Sequence, residues 1–143
     1  MKERFLRSIR LLAESYQAFE RMSGAHVRTL GLTPAQFDII ATLGNTAGMS
    51  FKELGEKTLT SKGTLTGVVD RLESKGLVER STRLEDRRSM IVRLTDKGQR
   101  EFECVFSAQL KYCKQFFADY SDDEFFALEQ ALTKLKLRLQ GND

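Results

Sequence analysis

The sequence predicts a mainly α-helical fold with one small β-hairpin and long helices at both ends. Three observations carry that expectation. Leu65, Val68, Val69 and Leu72 recur at i, i+3, i+4 and i+7 just ahead of Lys75-Gly76, the pattern of an amphipathic helix closed by a glycine. Two short apolar runs, residues 77–80 and 89–94, flank an arginine-rich segment at 81–88, as a hairpin would. Apolar residues at spacings of three and four stripe both ends of the chain.

Taken in order, Phe5, Ile9, Leu12, Tyr16, Phe19 and Met22 describe one long amphipathic helix. Thr33-Pro34-Ala35-Gln36 then opens a second helix, with proline at its first position and a capping-box glutamine, and turns Phe37, Ile40, Ala41 and Leu43 inward. Ser50-Phe51-Lys52-Glu53 is another capping box, for a short helix ending near Lys57. Thr60 is the expected N-cap of the next helix, which pairs with the short one as a helix-turn-helix. After the hairpin, Phe102, Val105, Phe106, Leu110, Cys113, Phe116 and Phe117 stripe a second long helix. Ser121-Asp122-Asp123-Glu124 caps a third, carrying Phe125, Leu128, Leu132, Leu135 and Leu139.

The chemistry concentrates between residues 60 and 98. Opposite the apolar stripe fall Gly63, Thr66, Gly67 and Asp70, with Ser61, Lys62 and Thr64 around the first turn. That face is small and polar. A helical glycine is about 1 kcal/mol less favourable than alanine, so two on one outer face imply that something approaches the backbone closely, and a DNA major groove fits. From Arg80 to Arg100 there are seven basic residues and three acidic ones, an excess of +4 against +3 for the whole chain. A basic ribbon beside such a helix can place guanidinium groups on phosphates or in a narrow minor groove. A merely solvated basic hairpin is the competing reading.

These residues resemble the MarR family of bacterial transcriptional regulators, which are winged helix-turn-helix dimers. Leu32-Thr33-Pro34-Ala35-Gln36-Phe37 looks like the opening of the family's second helix. Gly63-Thr64-Leu65-Thr66 through Asp70-Arg71-Leu72-Glu73 looks like its recognition helix, and Lys75-Gly76-Leu77-Val78-Glu79-Arg80 like the turn into the wing. Asp86-Arg87-Arg88-Ser89 followed by Leu94-Thr95-Asp96-Lys97-Gly98 resembles the wing signature. The resemblance implies that Ser61, Lys62, Thr64 and Thr66 face the major groove. It makes Arg88 the minor-groove reader at the wing tip, with Asp86 positioning it, and Arg83 and Arg87 phosphate contacts. Arg71 reads as an internal salt-bridge partner. Gly67 departs from the pattern, since many relatives carry a basic residue there.

The implied architecture is one domain, residues 1–143, with a winged DNA-binding module at 32–98 and helical dimerisation regions at 1–30 and 99–143. Three long apolar-faced helices exceed what a module of about 65 residues can cover, so a homodimer is expected. The implied function is a sequence-specific regulator, a repressor binding a pseudo-palindromic operator on double-stranded DNA and released by a small aromatic or anionic effector. His26, ahead of Leu30-Gly31-Leu32, is the candidate ligand-binding residue; a hydrogen-bonded structural histidine is the alternative. Winged helices also serve as protein-interaction modules or nonspecific DNA binders, though arginines at 83, 87 and 88 suit nucleic acid.

Composition narrows the remaining classes. No apolar run approaches 18 residues and no signal-peptide core follows Met1, so a cytoplasmic location is expected. One histidine rules out a multi-histidine zinc site, and no phosphate-binding glycine loop is present. No enzyme activity, metal or cofactor is expected. Cys104 and Cys113 fall on opposite faces of one helix, cannot pair within it, and read as buried small hydrophobes.

Overall fold

The computed structural model describes residues 3–83 and 86–141, with the side chains of residues 83–89 outside the described set. The order is α1 (Arg4–Thr29), α2 (Pro34–Leu43), β1 (Met49–Ser50), α3 (Phe51–Lys57), α4 (Lys62–Ser74), β2 (Val78–Arg83), β3 (Asp86–Leu94), α5 (Asp96–Lys114), a 3-10 turn (Gln115–Phe117) and α6 (Asp122–Gln140). The chain divides into two compact units, Met1–Tyr112 and Cys113–Asp143. Among the described residues no helix is long and apolar enough to cross a membrane.

The capping boxes form as the sequence predicts. The hydroxyls of Thr33, Ser50 and Ser121 accept from the N–H groups of Gln36, Glu53 and Glu124, whose side chains accept from the cap residues' own N–H groups. Each box satisfies two helix-end donors that would otherwise lack partners.

In the first unit the core gathers Val27 from α1, Ile39, Ile40 and Leu43 from α2, Leu54 from α3, the α4 stripe, Val78 and Val92 from the sheet, and Phe102 and Val105 from α5. Leu65, Val68, Val69 and Leu72 are all buried. On α2 the inward face includes Ile39, while Phe37 and Ala41 are only half-buried.

Several local expectations are corrected. The sheet has three antiparallel strands in the order β1-β3-β2, because Met49 and Ser50 pair with Val92 and Ile91 along β3. Two residues are too few for a period-2 pattern to show in sequence. Strands β2 and β3 also extend into the stretch read as loop, with an irregularity between Thr82 and Arg83. Helix α5 stops at Lys114, so Phe116 lies and Phe117 ends in the 3-10 turn. Cys104 is exposed and Cys113 half-buried; the inward face of α5 is set by Phe102, Val105 and Gln109, and position 104 is rotated about 200° from 102.

The second unit is small. Phe117, Tyr120 and Phe125 pack against one another in edge-on and tilted arrangements, with ring centroids 5.2 to 5.9 Å apart. Beyond them α6 leaves Phe126, Leu128, Leu132, Leu137 and Leu139 exposed.

Leu72→Ala is expected to destabilise the protein by about 2–5 kcal/mol, since it opens a cavity where the side chain is fully buried. Chemical denaturation followed by circular dichroism checks this; an unchanged midpoint would remove Leu72 from the core.

Candidate nucleic-acid interface

Burial on one side of α4 decides what is offered on the other. With Leu65, Val68, Val69 and Leu72 turned into the core, Lys62, Gly63, Thr64, Thr66, Gly67 and Asp70 are exposed. The N-cap is Ser61 rather than the expected Thr60. The Asp38 carboxylate accepts from the Leu59 N–H at 3.0 Å and holds the turn just ahead of it. The Ser61 side chain makes no capping bond; its hydroxyl donates to Thr64 Oγ1 at 3.0 Å. The first turn therefore has no side-chain cap at the positive end of the helix, and its Thr64 N–H donates to the Ser61 carbonyl at 3.1 Å.

A Cβ added at Gly63 or Gly67 would meet nothing within 4 Å, and neither residue has a positive φ. Neither internal packing nor backbone conformation demands glycine there. Both positions leave open space beside the backbone of α4.

The far end of α4 joins the wing through a built seam. Gly76, with φ +75°, follows the helix; its N–H donates to the Glu73 carbonyl and the Leu77 N–H to the Leu72 carbonyl, a Schellman closure. The Thr95 hydroxyl donates to the Gly76 carbonyl at 2.6 Å and accepts from the Gly98 N–H at 3.0 Å. A Cβ at Gly98 would overlap the Leu77 carbonyl. The Leu-Thr-x-x-Gly run thus welds the start of α5 to the turn between α4 and β2.

Arg80, on β2, is the residue that sequence reasoning missed. Its Nη2 donates to Asp70 Oδ1 at 2.6 Å and its Nη1 to Glu73 Oε1 at 2.7 Å. The guanidinium carbon also stands 5.6 Å from the Phe51 ring centroid. The bond to Asp70 is the main cause that raises the Arg80 pKa above the ordinary arginine value. Among the described residues it is Arg80, not Arg71, that ion-pairs with the acids of α4. The Asp70 and Glu73 positions and the short turn to β2 carried a signal, but only the strand register places residue 80 beside them.

The four wing residues of interest, Arg83, Asp86, Arg87 and Arg88, have side chains outside the described residues. Their backbones lie in β2 and β3, where Arg83 pairs with Asp86.

A groove of about 740 Å³ runs between α1, α2 and the start of α4. Tyr16, Phe19 and Phe37 supply aromatic surface, Arg28, Glu20 and Asp38 the charges, and Thr60, Ser61 and Thr64 the end nearest α4. The hydrogen bond with Glu20 raises the Tyr16 phenol pKa. His26 is not in the groove lining. Its Nδ1 lies 2.6 Å from Gln109 Oε1, its ring stacks on Tyr112 at 3.9 Å, and Gln109 Nε2 donates to the Ser23 carbonyl and hydroxyl. Because that amide nitrogen is occupied as a donor, Oε1 is the atom turned to His26 Nδ1. Ser23 lines the groove, so His26 stands one layer behind it.

A helix pair presenting an exposed polar helix beside a small antiparallel sheet defines a winged helix-turn-helix protein. The MarR family model matches residues 32–90, and the HTH-type transcriptional regulator YsmB of Bacillus subtilis (strain 168), itself uncharacterized, is 30% identical over 105 residues, 73% of this chain and 72% of that protein. The chain belongs to the MarR family and is a DNA-binding transcriptional regulator. Among solved structures, a mutant MarR from E. coli complexed with operator DNA is similar at TM-score 0.78 and 28% identity, over 94% of this chain and 99% of that one. BpsR of Bordetella bronchiseptica, whose DNA binding is regulated by 6-hydroxynicotinic acid, is similar at TM-score 0.77 and 25% identity, over 89% and 91%.

Gly63→Ala and Gly67→Ala are each expected to stabilise the protein by about 0.5–1 kcal/mol while weakening DNA binding, because the methyl group intrudes only on a bound duplex. Thermal melts and binding titrations on the same samples check the opposed signs; tighter DNA binding by both variants would remove the close approach.

Proposed function

We propose that the protein is a homodimeric repressor of a pseudo-palindromic operator, released by a small-molecule effector. The observation that carries the DNA-reading part is the exposed face of α4, small and polar, standing on a fully buried stripe. Ser61, Lys62, Thr64 and Thr66 reach base edges in the major groove. Arg88, positioned by Asp86, enters the flanking minor groove, and Arg83 and Arg87 contact phosphates. Residues 32–98 form the reading module, and 1–30 with 99–143 the dimerisation regions. Cytoplasmic location follows from that role.

Exposed apolar side chains support the dimer. Phe5, Leu6, Leu11, Tyr16 and Phe19 on α1, and Phe126, Leu128, Leu132, Leu137 and Leu139 on α6, are too many for helices facing water alone. A two-fold dimer places its recognition helices about one turn of DNA apart, roughly 10 base pairs.

The groove beside Ser61 and Thr64 supports effector control, as does the regulation of BpsR by an aromatic acid. Arg28 meets the effector's anionic group, and His26 steadies the wall through Gln109 and Ser23. An occupant shifts the dimer toward a state whose helix spacing misfits the grooves.

Fluorescence anisotropy against the upstream intergenic DNA and a scrambled duplex, across salt concentrations, tests the central reading. A preference of about 10³-fold or more is expected; equal binding marks a nonspecific binder, and no binding a protein-interaction module. Arg88→Ala is expected to cost about 1–3 kcal/mol of operator affinity with the dimer intact, and unchanged affinity would end the wing assignment. Leu132→Asp, at a position exposed in the single chain, is expected to halve the sedimentation mass; an unaltered mass would take α6 out of the interface.

A further inference from the structure

We infer that Arg80 is a positioning residue for DNA recognition: its guanidinium clasps the recognition helix to the base of the wing and fixes the geometry in which both reach the duplex. The inference rests on the reading of this protein as a sequence-specific DNA binder.

Three elements meet on this one side chain. Arg80 is held in β2 by its register opposite Val92. Its two terminal nitrogens are donated to carboxylates three residues apart on α4, at 2.6 and 2.7 Å, and its plane lies near the Phe51 ring at the start of α3. A planar fork engaged at both ends restrains rotation as well as distance. A lysine ammonium is a point charge and holds no such orientation.

Folding stability is a weak reason for the arrangement. The Arg80 side chain is 23% exposed, but those of Asp70 and Glu73 are 59% and 44% exposed, so solvent screens the carboxylate side of both pairs. The placement is the informative part. Asp70 shares the outer face of α4 with Gly63, Thr66 and Gly67, where a bare carboxylate opposes phosphate.

Electrostatics and positioning therefore predict different outcomes for one double substitution. Removing both carboxylates strengthens binding to any DNA if charge alone matters. It weakens selection of the preferred sequence if the clasp sets the angle between helix and wing, because reading contacts need their groups placed accurately.

The test uses the full-length protein, with a duplex selected from a random library by the wild type and a scrambled duplex as reference. The double variant Asp70→Ala, Glu73→Ala keeps Arg80 and raises helix propensity, so it is expected to fold. Its preference for the selected duplex should fall roughly tenfold or more, with scrambled-duplex affinity equal or higher and the thermal midpoint little changed. Arg80→Lys, which conserves charge, should lose preference in the same way. An unchanged or improved preference in the double variant would overturn the clasp, as would a loss of preference in both variants that only accompanies unfolding. Failure of the wild type to select any duplex overturns the sequence-specific reading itself, and the clasp with it; that outcome appears in the wild-type arm alone.

Discussion

The burial of four side chains on α4 is the constraint on which the rest of this molecule depends. Leu65, Val68, Val69 and Leu72 lie against a core drawn from α1, α2, α3, the sheet and α5. At about 1.5–3 kcal/mol for each large apolar side chain removed from water, this contact outweighs the helix-weakening effect of Gly63 and Gly67 on the opposite face. The same helix can therefore be poor in intrinsic helix propensity outside and firmly held inside. By that division rigidity comes from the buried half, and the exposed half is free to carry hydroxyls and bare backbone.

Rigidity is carried from the helix into the wing by short-range chemistry. Gly76 adopts a left-handed conformation and lets the chain reverse; Thr95 bonds simultaneously to the turn and to its own helix; Gly98 admits the Leu77 carbonyl where any side chain would collide. Hydrogen bonds of this kind are each worth about 1 kcal/mol net, so their importance lies in direction more than in energy. They set where β2 begins, and hence which strand residue stands beside Asp70 and Glu73.

The apolar surface that the single chain leaves uncovered belongs to the same economy of form. Helix α6 buries none of its residues within the single chain, and most of a helix's stability in a protein comes from packing of its apolar face. A second copy of the chain supplies the missing cover in the dimeric reading. A groove bordered by α1 at one side and Ser61 and Thr64 at the other would then connect a dimerisation helix to the reading helix through a space of ligand size.

Much of this was legible in the residues themselves, for identifiable reasons. The three capping boxes and the Lys75-Gly76 stop are local patterns, and each formed where the sequence placed it. The polar face of α4 followed from its apolar stripe, since one fixes the other at 100° per residue. What was missed depends on how the elements pack against one another. The two-residue strand β1 exists only because β3 runs beside it, Cys104 is exposed because its neighbours on α5 take the inward face, and the Thr60 cap moved by one residue beside the hydrogen bond from Leu59 to Asp38. Local pattern sufficed for the helices, their apolar faces and the family signature, because these arise from interactions within a few residues. The joining of Arg80 to Asp70 and Glu73 and the turn of His26 to Gln109 needed the folded chain, because those pairings are set by strand register and helix packing across 7 to 83 residues of chain.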